Sequence, residues 1–151
     1  VHVRGTDYNK NFKNHPVAIT TEQYIEETKR LMDSGRYSTI FLATDDATVV
    51  QRFDKIFPGK VVYYTDAFRS ENNEAVHGSF STRNRHEFML GLEVLRDVYT
   101  LVECSGLIAS VSNVPTLSRI IKKARNLDYS DCRILYLGEN HTGPKFSDPR
   151  H

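Results

Sequence analysis

The sequence predicts an α/β protein: a Rossmann-like, doubly wound parallel sheet of five strands with helices on both faces. Three observations carry this reading. Short β-like runs alternate with amphipathic segments along the chain, as when parallel strands are joined by right-handed crossovers. The run Ser38-Thr39-Ile40-Phe41-Leu42-Ala43 is almost continuously apolar or β-branched, which suits a strand covered on both faces. Helix start and stop signals sit between the runs where crossovers require them.

The first element is Val1-His2-Val3-Arg4-Gly5-Thr6-Asp7-Tyr8. Val1 and Val3 would face one side of a strand, His2 and Arg4 the other. Gly5 breaks the strand, and Thr6 and Asp7 read as a turn. The chain thus opens inside a strand with no initiator Met, and the expectation is a piece of a longer protein. Residues 9 to 19 are polar and hold His15-Pro16, a loop. Thr20 and Gln23 have capping-box spacing. Tyr24, Ile25, Thr28, Leu31 and Met32 then recur at helical spacing up to Ser34-Gly35. After the run 38–43, Thr44-Asp45-Asp46 can cap a helix marked by Val49, Val50, Phe53, Ile56 and Phe57. That helix stops at Pro58-Gly59, and Val61-Val62-Tyr63-Tyr64 is a third strand.

Residues 65 to 83 form the longest polar stretch, expected to be a mobile loop. A helix over about 84–103 carries two apolar stripes. One is Phe88, Leu92, Leu95, Tyr99 and Val102; the other is Leu90, Val94 and Leu101, with Asp97 inside it. A helix apolar on most sides is expected to be largely buried. Gly106 to Ser110 is a fourth strand. Ser112 can cap a helix through Val114, Leu117, Ile120, Ile121 and Ala124, with Pro115 acceptable in its first turn. Arg133 to Leu137 is a fifth strand. The expected organisation is one folded unit over 1–138 and a loose tail over 139–151.

The chain has 151 residues and a formal net charge of +1, so neither nucleic acid nor a membrane surface has bulk electrostatic support as a partner. No apolar run reaches membrane-spanning length. Cys104 and Cys132 give no disulfide framework or zinc spacing and read as small buried hydrophobes. No cluster has metal-ligand spacing, and Gly-x-Gly-x-x-Gly, a Walker loop and Gly-x-Ser-x-Gly are all absent.

The commonest doubly wound order puts the first and fourth strands side by side, with a crevice at their carboxyl ends. Arg4 enters it from one side. Its planar fork suits a phosphate, although an ion pair with Asp7 or Asp45 satisfies the same pattern. Ser112 and Asn113, at the start of the last helix, enter from the other side, where free N–H groups and the helix dipole favour an anion; an ordinary cap is the alternative. Asp45 and Asp46 divide between capping, pairing with Arg4 and holding a cation. Asp97 in an apolar stripe needs a partner: Arg96, Arg119 or Arg133, or a ligand edge with adjacent N–H donors such as guanine.

Three segments resemble one family in order and spacing. His2-Val3-Arg4-Gly5-Thr6-Asp7-Tyr8 is similar to the His-x-Arg motif of the fucosyltransferases that include α1,6-, α1,2- and protein O-fucosyltransferases, and the α1,6- and nodulation-type branch looks closest. Leu42-Ala43-Thr44-Asp45-Asp46 resembles their second motif. Leu95-Arg96-Asp97 and Ser105 through Asn113 resemble the third. The resemblance implies the C-terminal, donor-binding half of a GT-B glycosyltransferase whose inverting transfer uses no metal or other cofactor. The donor would be GDP-fucose or a related GDP-sugar. Arg4 would bind the β-phosphate and stabilise the leaving diphosphate, the catalytic role. His2 would lie along the nucleotide, Asp97 would read guanine, Asp45 or Asp46 would sit near the nucleoside, and Ser112 and Asn113 would hold phosphate. A glycan or protein acceptor would bind an N-terminal domain lying before Val1, so this chain alone would not transfer sugar. Gly5 departs from the family, which often carries a second arginine there. A non-catalytic nucleotide-binding module of the same fold, and a phosphate-ester enzyme using Asp45, are the competing readings.

Overall fold

In the computed structural model, residues 1–4, 13–70 and 85–143 are described. The turn after Arg4, the stretch 71–83 of the long loop and the tail beyond 143 lie outside the described residues.

Strand β1 (His2–Val3) leads to helix α1 (Thr21–Asp33), then β2 (Ile40–Phe41), β3 (Ala43–Thr44), α2 (Ala47–Ile56) and β4 (Val61–Val62). Helix α3 (His86–Glu103), β5 (Gly106–Ser110), α4 (Asn113–Ala124) and β6 (Asp131–Leu135) complete the order. All strand pairs are parallel. The sheet is not one five-stranded ladder: β3-β1-β5-β6 form four strands, and β2-β4 form a separate pair. The cause is a change of partner within one run. Ile40 and Phe41 are in register with Val61 and Val62, whereas Ala43 and Thr44 are in register with His2 and Val3. Leu42 N–H donates to the Val62 carbonyl at 2.8 Å, and Ala43 N–H turns the other way to the Val1 carbonyl at 2.9 Å.

Local chemistry explains the helix boundaries. Thr20 and Gln23 close a reciprocal capping box on α1. Its buried face is Tyr24, Ile25, Thr28 and Leu31, and Gly35, at φ 72°, provides the left-handed residue beyond its end. The Asp46 carboxylate accepts from Thr48 N–H at 2.7 Å and caps α2.

Pleating sorts the core into two layers. Ile40, Leu42 and Ile108 join Tyr24 and Leu31 of α1 and Val49, Val50 and Phe53 of α2. Ala43, Leu107 and Ala109 join Leu101 of α3, with Val114 of α4 and Tyr129 packed against them. Alternate residues of the same strands enter different clusters, so helices cover both faces. Helix α4 is held to α3 by polar contacts at depth. Ser118 Oγ donates to Val98 and Val114 carbonyls, and the buried Lys122 ammonium donates to Val102 and Cys104 carbonyls at 2.6 and 2.9 Å. At the start of β5, a Cβ on Gly106 would sit 3.0 Å from the Tyr37 ring, whose hydroxyl donates to Asp131 at 2.7 Å. Glycine there lets the ring close over the strand end.

Several expectations are corrected. Helix α3 is not buried all round: Phe88, Leu92, Leu95 and Tyr99 are exposed, because only the flank carrying Val98, Leu101 and Val102 meets the core. Strand β4 stops at Val62. Tyr63 and Tyr64 instead send their hydroxyls to Asp54 and to Thr100, a polar exit from the sheet. Strand β6 starts two residues earlier than expected and releases Tyr136 and Leu137 to the surface. Cys132 is exposed and Cys104 only partly covered, so neither is the buried hydrophobe the sequence suggested. In the stretch after β6, Asn140 N–H donates to the His15 carbonyl, and Asn14 N–H to the Asn140 carbonyl at 2.8 Å. Within the long loop, Ser70 is tied to Asp45 and Ala47 by backbone hydrogen bonds. Among the described residues, no helix is long and apolar enough to cross a membrane.

Candidate functional site

The carboxyl ends of β1, β3 and β5 open into a cleft of about 260 Å³. Its lining includes His2 and Arg4 from β1 and its end, Thr44 and Asp45 from β3, and Ser112, Asn113 and Val114 from the start of α4. Helix α3 contributes Leu90, Glu93, Val94 and Asp97, and the segment after β4 contributes Ala67 and Phe68. Six of the seven residues singled out from sequence therefore line one cavity. Asp46 does not: both Thr48 N–H and Thr48 Oγ1 bond its carboxylate at 2.7 Å, so it is a helix cap.

The pole at α4 carries groups of the kind that suit an anion. The first-turn N–H groups of a helix have no intrahelical acceptor, and the dipole adds partial positive charge. Ser112 stands at the N-cap in extended geometry, yet its hydroxyl makes no cap bond, and Oγ is buried without a hydrogen-bond partner among the described residues. Buried hydroxyls are normally satisfied, so this one is an open valence in the cleft wall. Arg4 lines the same cavity from β1.

His2 is buried, and its Nδ1 has no partner among the described residues. Burial, reinforced by the positive N-terminal amine and Arg4, drives its pKa down to about 3. The imidazole is neutral at pH 7 and acts as a polar uncharged group beside Arg4.

The opposite wall is acidic and apolar. Asp97 forms none of the ion pairs weighed from sequence: Arg96 binds Asp66 at 2.9 Å, and Arg133 lies by Glu27 and Asp131. Burial pushes Asp97 up to about 6, against the pull of Arg96 and Arg69. Glu93, one helical turn earlier and itself buried, accepts from Phe68 N–H at 3.4 Å. Sequence reading passed over Glu93 and Phe68. The i, i+4 spacing of Glu93 and Asp97 was a usable signal, since it puts both on one helix face. Phe68 had none, because it reaches the cleft only through the pairing of Ser70 with Asp45 and Ala47.

A larger cavity of about 350 Å³ lies at the amino ends of the strands, lined in part by Val1, Arg36, Tyr37, Cys104 and Gly106. Arg36 and Tyr37 are committed there to Asp131, at 2.6 and 2.7 Å. The cleft that holds Ser112 Oγ and His2 Nδ1, both without a partner among the described residues, is the smaller one, and open α/β sheets place ligands at the carboxyl ends.

The cleft thus has a cationic, N–H-rich pole and a carboxylate-bearing apolar wall, an arrangement that can take a molecule with a phosphate at one end and a donor-bearing ring at the other. No family model matches this chain, and neither the curated proteins nor the solved structures yield a similar protein.

Proposed function

We propose that the chain is the donor-binding domain of a fucosyltransferase-like glycosyltransferase, taking GDP-fucose or a related GDP-sugar. The observation that carries the reading is the convergence of Arg4, Ser112 and Asp97 on one cleft from three separate elements. Arg4 and the start of α4 hold the diphosphate, and charge developing on the departing GDP is stabilised by groups already in place. Asp97 accepts the paired N–H donors of guanine, while Phe68, Leu90 and Val94 offer the base an apolar surface. His2, neutral and beside Arg4, and Asp45 lie along the nucleoside.

The finer fold belongs to the same proposal. Joined through the run 40–44, the two ladders read as one doubly wound sheet of five runs, as in half of a GT-B enzyme. Sugar transfer then requires an acceptor-binding domain. Asp45 in the cleft supports a second reading, a phosphate-ester enzyme in which that carboxylate attacks phosphorus or holds Mg²⁺.

Calorimetric titration with GDP, GDP-fucose, UDP and ADP, with and without Mg²⁺, separates the readings. Metal-independent binding selective for guanine nucleotides is expected. Equal affinity for all three nucleoside diphosphates defeats the guanine assignment, and Mg²⁺-dependent release of phosphate favours the second reading.

A further inference from the structure

Helix α3 has two faces with different fates. Leu90, Glu93, Val94 and Asp97 line the cleft. On the far side stand Phe88, Leu92, Leu95 and Tyr99, exposed by 56, 43, 47 and 50 %. Spacings of four, three and four residues make this a d-a-d-a seam of the kind that pairs two helices. It runs about 16 Å along the helix, and a contiguous apolar stripe of that kind marks an interaction surface.

Three features choose the occupant. The seam is a palindrome: aromatic, leucine, leucine, aromatic, read from either end. An antiparallel copy related by a two-fold axis sets Phe88 against the second copy's Tyr99 and Leu92 against its Leu95. Charged groups stand at both ends. Arg85 lies over the Phe88 ring at 5.0 Å at one end; at the other, Arg125 lies over the Tyr99 ring at 5.9 Å and pairs with Glu103, so antiparallel pairing brings each Arg85 to the Glu103 carboxylate of the second copy's Arg125–Glu103 pair. Gly91 sits in the first half of the helix beside the seam, with nothing among the described residues within 4 Å of where its Cβ would be. Glycine weakens a helix interior and packs nothing within this chain, but it permits close approach of a second helix.

We infer that α3 is a self-association surface, through which two copies of the chain pair antiparallel about a two-fold axis. The inference is independent of the nucleotide reading, because the cleft lies on the other face of α3. The seam is short against the standard interface size, so the dissociation constant is expected on the order of 0.1 mM.

The test is sedimentation equilibrium of the 151-residue chain over a concentration series, with cross-linking to fix the geometry. Leu92→Glu should raise the dissociation constant by at least about tenfold, with an unchanged melting temperature, since the side chain is half in solvent. In a background with Cys104→Ser and Cys132→Ser, Leu92→Cys and Leu95→Cys proteins are mixed and oxidised. With the two proteins in equal amounts, the mixed Leu92→Cys/Leu95→Cys cross-link should exceed either same-site cross-link by well over the twofold that random pairing gives. A single monomeric species up to about 1 mM overturns the inference. So does dimerisation that Leu92→Glu leaves intact, or a mixed product no more than twice either same-site product.

Discussion

Arg4 and Asp97 line the same cleft, though β1 delivers one and α3 the other, so a cation and a carboxylate share one cavity. Asp97 stays protonated to about pH 6 because it is buried, and the charges that pull its pKa back down are those of Arg96 and Arg69. This separation of charge within one cavity suits a ligand that is itself divided into an anionic and a donor-bearing end.

Arg4→Ala should therefore cost roughly tenfold to a hundredfold in GDP affinity, the value of a hydrogen bond to a charged group. Guanosine has no phosphates, and its affinity should change little. Arg4→Lys should fall between the two, because lysine keeps the charge and loses the fork. Titrations with both ligands and a melting curve for each variant decide the matter. Equal losses for GDP and guanosine would make Arg4 a structural residue.

Asp97→Asn should weaken GDP binding more than UDP or ADP binding. It should also stabilise the free protein near neutral pH. The raised pKa means that the folded state holds a proton between about pH 4 and 6 that the unfolded state has released, so the contribution of Asp97 to stability is lost as pH rises through 6. Asparagine escapes that loss, by on the order of 2 kcal/mol. Melting curves at pH 7 and pH 4 should show a gain for Asp97→Asn at the first and little at the second.

His2 has the opposite sign. Its folded pKa lies near 3 against an ordinary 6.5, so in that window the unfolded state binds a proton that the native state refuses. Stability is present above pH 6.5 and falls as the pH drops toward 3. In His2→Gln, the melting temperature should decline less between pH 6.5 and 4 than in the wild type. An unchanged pH profile would show that acid unfolding is set elsewhere.

Lys122→Met should destabilise the chain by about 2–4 kcal/mol, because the carbonyls at the end of α3 lose a charged donor in a buried site. The ammonium also lies 4.6 Å from the Tyr129 ring centroid, an interaction lost at the same time. Urea unfolding of the two proteins measures the difference. A loss under about 0.5 kcal/mol, the scale of ordinary surface substitutions, would mean that water replaces the ammonium.

What the sequence determined by itself was local. The capping box at Thr20, the cap at Asp46 and the periodicity of Tyr24, Ile25, Thr28 and Leu31 depend on neighbours within one turn of helix, and they stand where the pattern put them. The gathering of His2, Arg4, Asp45, Ser112 and Asn113 was legible too, since parallel strands bring their carboxyl ends to one edge; Asp97, inside α3, reaches the same cleft only through the docking of that helix. Tertiary structure decided everything that depends on which neighbour a group meets. Two apolar stripes on α3 look alike in sequence, and only docking on α4 and the sheet determines that Leu101 is buried while Leu92 stays in solvent. The division of 40–44 between two ladders, the approach of Phe68 and Glu93 to the cleft and the burial of Lys122 against α3 arise the same way. Each joins groups distant along the chain, and side-chain spacing within a single element carries no information about its partner.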